Sequence, residues 1–222
     1  MYSNEHKQYL KKEKRKKLLI RLTQALIIVI CVAVWQLLAH FNVINTFISS
    51  SPKDVLNTLI NLHVNGDLYH HIWITVYETI ISFSLGTIIG IIIATLLWWN
   101  KFLAKVMDPY LTILNSLPKV ALGPIIIIWA GAGISSIILM ALLISVIITI
   151  INVYQGFITT DQNKLKLLQS FKASKYQIYT KLILPSSFPT IISALKINVS
   201  MSLIGVIMGE FLVSKDGIGY LI

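Results

Sequence analysis

The 222-residue chain is 55% hydrophobic and 13% charged, with a mean hydropathy of +0.75. A soluble domain carries about twice that share of charge, and one core does not hide this much apolar surface, so the composition excludes an ordinary soluble protein and makes lipid the solvent. The formal net charge of +10 does not point to nucleic acid, because no basic patch is interleaved with stacking aromatics.

Residues 1–17 form a basic start, and Lys7, Lys11, Lys12, Lys14, Arg15, Lys16, Lys17 and Arg21 place it in the cytoplasm. A span needs about 20 apolar residues, and the first is 18–39. It is too long for a signal-peptide core, and no small-residue cleavage site follows it, so it is read as retained. It holds Cys31, the only cysteine, which excludes an intrachain disulfide and a cysteine-based metal site.

Residues 40–71 read as an extracytoplasmic loop with a short helix lying on the outer face. Ser51 and Pro52 are the start signal, and Val55, Leu56, Leu59, Ile60 and His63 share one side. Gly66-Asp67 turns the chain back into the membrane. His70-His71, with His63 nearby, lacks the acidic shell of a metal site.

The core, 72–222, holds four more spans, at 72–99, 110–130, 134–153 and 189–213. Gly131-Ala132-Gly133 breaks the apolar stretch after the third span and predicts a tight external hairpin. Lys101 and Lys105 mark a cytoplasmic loop over 100–109. Lys164, Lys166, Lys172, Lys175 and Lys181 mark a cytoplasmic segment over 159–185. Trp98 and Trp99 fall at a cytoplasmic interface. The fold class is therefore all-α polytopic, with about five spans, a multi-pass protein of the cell membrane.

The cytoplasmic segment is too patterned for a simple loop. Asp161 caps a predicted helix with apolar Leu165, Leu168 and Phe171. A second helix begins near Ser174, carries Tyr176, Ile178, Tyr179 and Leu182, and ends at Leu184-Pro185. Such an element either docks into a partner or rests on the inner leaflet with its lysines against anionic lipid.

Three blocks resemble the permeases of binding-protein-dependent ABC importers, over roughly 75–222. The first is Lys166-Leu167-Leu168, Lys172-Ala173-Ser174 and Leu182-Ile183-Leu184-Pro185, which keeps the spacing of that family's cytoplasmic loop motif (Glu-Ala-Ala, three residues, Gly, nine residues, Ile-x-Leu-Pro). The second is Asn115 to Pro124. The third is Gly209-Glu210-Phe211 with Gly217-Ile218-Gly219-Tyr220-Leu221-Ile222. These blocks look like the branch importing nitrate, sulfonates, taurine and thiamine precursors. The resemblance implies that Leu165, Lys166, Leu167, Leu168, Phe171, Lys172, Ala173, Ser174, Leu184 and Pro185 form a coupling element for a cytoplasmic ATPase. It also implies that the ATPase holds the ATP and Mg²⁺, that an extracytoplasmic solute-binding protein delivers the cargo, and that a second copy completes a homodimer. This sequence departs from the motif at Lys166, Leu167, Leu168 and Lys172. Relatives continue into a sixth span, so a truncation at Ile222 is expected.

No Gly-x₄-Gly-Lys-Ser/Thr phosphate loop and no catalytic constellation occurs, so no enzyme activity or bound cofactor is expected of this chain. In span two Thr75, Thr79, Ser82, Gly86 and Gly90 share a face; in span five Asn198, Ser202, Gly205 and Gly209 do. Gly86, Gly90, Gly205 and Gly209 suit close helix packing, and Asn198 and Ser202 are also candidates for the translocation path. Pro118, Lys119 and Pro124 break span three and are path candidates too. Glu210 either serves the outer mouth, sits at the interface or pairs with a neighbouring helix; Glu78 is expected near the outer surface. Two other readings stay open. One is a degenerate or truncated permease acting as a non-transporting scaffold. The other is an ATP-independent channel or transporter, which the shortage of mid-membrane ionisable groups disfavours.

Overall fold

A computed structural model describes residues 4–41, 43–44 and 49–222. The chain divides into two compact units, 1–68 and 69–222. Among the described residues every regular element is helical.

In the first unit, α1 (Asn4–His40) carries an apolar stretch long enough to cross a membrane. α2 (Pro52–Asn65) starts where side-chain chemistry allows. Ser51 Oγ accepts from the backbone N–H of Asp54, and Pro52 occupies a first-turn position that needs no donor. The backbone N–H of Lys53 donates to Gln36 Oε1 at 3.2 Å, which ties the start of α2 to α1.

The second unit is built on α6 (Ile134–Ile158). α3 (Asp67–Trp99) and α9 (Leu184–Val213) both pack on the stripe of it that carries Ile137, Ala141, Ser145 and Thr149. Small residues set both approaches. Gly86 and Gly90 of α3 lie against Ser145 and Thr149 of α6, while Gly205 and Gly209 of α9 lie against the backbone of Ala141 and Ile137. Lipid supplies no hydrophobic force between helices, so dispersion at close backbone approach has to hold them.

Among the described residues four helices are long and apolar enough to cross a membrane, and the count rises to five if one bent pair is a single broken span. The bent pair corrects the expected straight span over 110–130 and the expected loop over 100–109. α4 already runs over Lys101–Ser116, because the Asn100 side chain accepts from the N–H groups of Phe102 and Leu103 and caps it. Pro109 lies inside α4 without ending it. The chain breaks at Leu117-Pro118 instead. Leu117 is extended, as a residue before proline tends to be, and a 3₁₀ turn (Lys119–Leu122) leads into α5 (Gly123–Ala130). The two arms meet at 86°.

A second correction concerns Leu184-Pro185, which does not end a helix. α8 (Lys175–Ile178) continues through a π turn (Tyr179–Ile183) straight into α9, so the last span begins at Leu184 and holds Pro189 inside it. The N–H of Leu184 reaches back to Tyr179 O, and Pro185 falls in the first turn of α9, where its missing donor costs little.

Candidate functional site

The corner between α7 (Gln162–Ser170) and α8 begins with Asp161, whose side chain accepts from the N–H of Asn163 at 2.8 Å. Helical spacing then divides its apolar residues. Leu165, Leu168 and Ala173 turn inwards and pack with Ile178 of α8 and with Ala94, Phe157 and Ile191 of α3, α6 and α9. Leu167 and Phe171 turn outwards and stay 55% and 74% exposed. Lys166 is exposed as well. Phe171 thus leaves the inward face on which its spacing had placed it, because α7 ends at Ser170 and the chain turns there.

The turn has the hydrogen bonds of a Schellman motif. The N–H of Ala173 donates to Leu168 O at 3.0 Å, and that of Lys172 donates to Gln169 O at 2.9 Å. The motif needs a left-handed residue, and Lys172 supplies it at φ 56°. This is the position at which the resembling family carries glycine. A side chain in that conformation costs about 1 kcal/mol. Lys172→Gly is therefore expected to stabilise the chain by about 0.5–1 kcal/mol, read as a raised thermal midpoint in detergent.

Beyond the turn, Ser174 and Gln177 close a reciprocal capping box, with bonds of 3.3 and 2.8 Å. Tyr179 then locks the corner to the membrane helices. Its hydroxyl sits 2.9 Å from Thr95 Oγ1, and its ring packs on Trp98 and Phe157. Leu184 and Pro185 are exposed at the start of α9. The corner is thus rigidly anchored on one face and bare on the other.

At the opposite end of α9 stands Glu210, fully buried. Thr75 Oγ1 donates to one carboxyl oxygen at 2.6 Å, and the N–H of Gly219 donates to the other at 2.7 Å. Thr75 Oγ1 also accepts from the N–H of Ile218 at 2.8 Å, and His71 Nδ1 accepts from Gly217 at 3.0 Å. The 217–219 backbone therefore folds over the carboxyl. Gly217 has φ +101°, and a Cβ there would lie 2.3 Å from the Glu210 carboxyl carbon, so no larger residue fits. Among the readings of Glu210, pairing with a neighbouring helix is the one seen. Glu78 brings a second carboxyl beside it and is itself 1% exposed. Glu78 is one turn from Thr75 on the buried face of α3.

Between these ends runs a polar seam. Asn198 Nδ2 donates to Thr87 Oγ1 at 2.8 Å, whereas Asn198 Oδ1, Ser82 Oγ, Ser145 Oγ and Ser202 Oγ have no partner among the described residues. Asn198, Ser202 and Glu210 are all fully buried inside the protomer, so in this conformation they line no surface. The reason is the neighbouring Gly205 and Gly209, which draw that face of α9 onto α6. Of the path candidates, Pro118 and Pro124 are exposed at the bend, with Lys119 half-buried between them and its Nζ donating to Asn115 O at 2.9 Å.

Sequence reasoning missed the Glu210 network. Thr75, which donates to Glu210, lies 135 residues away on α3, and only the paired glycines at 217 and 219 hinted at a close backbone approach.

Comparison with known proteins places this geometry. Residues 86–222 match the family described as "Binding-protein-dependent transport system inner membrane component". A probable ABC transporter permease protein of Haemophilus influenzae is 33% identical over 203 residues, covering 91% of this chain and 82% of that protein. The putative aliphatic sulfonates transport permease protein SsuC of Bacillus subtilis is 26% identical over 193 residues, covering 87% and 70%. A solved structure of the MetNI methionine ABC transporter in an inward-facing conformation superposes with a TM-score of 0.64 at 19% identity, over 71% of this chain and 79% of that one; at that identity it shows the shared fold. With the family blocks lying on a helical core of four to five crossings, the chain belongs to the binding-protein-dependent transport family, as a multi-pass membrane permease subunit of an ABC importer.

Proposed function

We propose that two copies of this chain form the translocation unit and that each docks a cytoplasmic ATPase on the α7–α8 corner. The observation that carries this reading is the two-faced corner, with Leu167 and Phe171 bare on one side and Leu165, Leu168 and Ile178 packed into the membrane helices on the other. Burying a Phe and a Leu in a partner's groove is worth about 1.5–3 kcal/mol each. The basic start and the lysines over 159–185 favour a cytoplasmic corner.

ATP and Mg²⁺ belong to the partner. When the ATPases close on ATP, they carry α7 with them. A close-packed cluster transmits such a displacement rather than absorbing it, so α3, α6 and α9 move with the corner and the path opens outwards. Hydrolysis resets it. The exposed bend at Pro118, Lys119 and Pro124 lines the path in the dimer. An extracytoplasmic solute-binding protein delivers the cargo, a small anion of the sulfonate or nitrate class or a vitamin precursor.

Affinity capture of the tagged chain from native membranes in mild detergent tests the assembly. A Walker-loop ATPase in near-equal amount is the expected companion. A chain captured alone, or only with other membrane proteins, turns the account towards a non-transporting scaffold.

A further inference from the structure

The end of the core that carries α7 holds a half-open cavity of about 600 Å³. Lys101 and Lys105, four apart on the first turns of α4, face it together with Lys175, and no carboxylate lines it. Lys175 is partly committed, since its Nζ donates to the Trp99 carbonyl and stands 5.6 and 5.9 Å from the ring centres of Trp99 and Trp98. Lys101 and Lys105 have no ion-pair partner among the described residues. The deeper wall is apolar, with Phe157, Leu165 and Ile178.

The surroundings fix what fills it. Phe102 and Val106, on the same turns of α4, are 77% and 42% exposed and give the lysines an apolar surface beside them that suits acyl chains. The Trp98-Trp99 pair marks the membrane interface, where amphipathic rings settle. A site with two unneutralised ammonium groups, an apolar wall and a neighbouring apolar surface fits a phosphodiester carrying acyl chains. Basic pockets between membrane helices on the cytoplasmic side bind such headgroups. The ATPase does not compete for the site, because the cavity lies behind α7 while Leu167 and Phe171 face away from it.

We infer that this cavity is a binding site for an anionic glycerophospholipid of the inner leaflet, with its phosphate between Lys101 and Lys105 and its apolar part against Phe157 and Ile178. The inference rests on the reading that the α7 end is cytoplasmic. Since Leu165 and Ile178 wall the cavity, the lipid bridges α4 to the coupling corner, and the anionic lipid content of the membrane tunes coupling.

The test uses the full chain with whatever partners it captures, stripped of lipid in detergent and titrated with phosphatidylglycerol or phosphatidylcholine of identical acyl chains under native mass spectrometry. Phosphatidylglycerol is expected to be retained roughly tenfold more tightly. Lys101→Gln with Lys105→Gln should remove that preference, Lys105→Gln alone should weaken it, and the double arginine variant should keep it. Both lysines are exposed, so the replacements remove no core contact and the thermal midpoint should hold. Equal retention of the two lipids, undiminished retention by the double glutamine variant, or displacement by millimolar inorganic phosphate alone would overturn the proposal. Lipid retention is read on the permease itself, so it is scored whether or not an ATPase accompanies it. Failure of the docking reading and failure of the lipid site are therefore separate results.

Discussion

Phe171→Asp is expected to strip the ATPase from the purified permease and to stop ATP-driven uptake, while the chain stays folded. Phe171 is 74% exposed and makes no contribution to the cluster behind α7. Exposed substitutions of this kind change stability by about 0.5 kcal/mol or less. In a docked groove the same change removes roughly 2 kcal/mol of apolar burial and leaves a carboxylate to be desolvated, at a cost of about 2 kcal/mol or more. Together these weaken docking by roughly a thousandfold. Capture efficiency and thermal midpoint, measured on one preparation, separate the effects. Undiminished capture would remove Phe171 from the partner interface. Leu165→Asp is the contrasting case: Leu165 packs into the anchoring cluster, so that variant should lose stability and docking together.

Gly205→Ala should destabilise the core although alanine is the better helix former. The substitution gains about 1 kcal/mol in helix propensity. Against that, a Cβ at 205 would lie 2.5 Å from the Cα of Ala141, and backbone of a packed helix cannot turn aside. Overpacking of this kind costs about 1–3 kcal/mol, and contact with immovable backbone puts this site at the upper end, so steric cost wins by up to about 2 kcal/mol and the thermal midpoint falls. Gly86→Ala is the control. Its Cβ would meet the Ser145 hydroxyl, which moves away by rotating χ1, and the next atom is 3.3 Å distant. That variant should keep or raise the midpoint. Equal losses at both sites would show that α3 and α9 approach α6 alike, contrary to the geometry.

The helices were legible wherever the physics is local. Apolar runs of span length marked α1, α3, α6 and α9, and the fold class followed from them. The Ser51-Pro52 start and the Asp161 cap were readable because a cap lies within a few residues of what it caps. The start of α4 was hidden by its composition: Lys101, Lys105, Asp108 and Pro109 look like a loop, and the decisive signal was one asparagine at 100. The 86° bend was only half visible, since a proline pair announces a break but not its angle.

The site divides in the same way. The spacing of the cytoplasmic motif identified the corner, yet a lysine at the motif's glycine position does not say by itself whether the turn survives. The structure answers that the turn stays and the lysine takes the left-handed conformation. Burial of Glu78 and Glu210 was not legible, because their partners come from a chain end folding back onto a helix well over a hundred residues earlier. Polar residues within an apolar helix reveal a shared face but not the helix that covers it. Asn198 and Ser202 illustrate this: one face suits packing or a path equally well, and only the approach of Gly205 to Ala141 shows which side is occupied.

On the proposed function, this permease moves solute at the expense of ATP bound elsewhere. The most direct measurement is uptake into proteoliposomes that hold the captured complex, with ATP and Mg²⁺ on the α7 side and the solute-binding protein on the other. The account predicts accumulation that requires ATP and the binding protein and that survives collapse of ion gradients. Uptake that follows an imposed ion gradient, or proceeds without the ATPase, would contradict it.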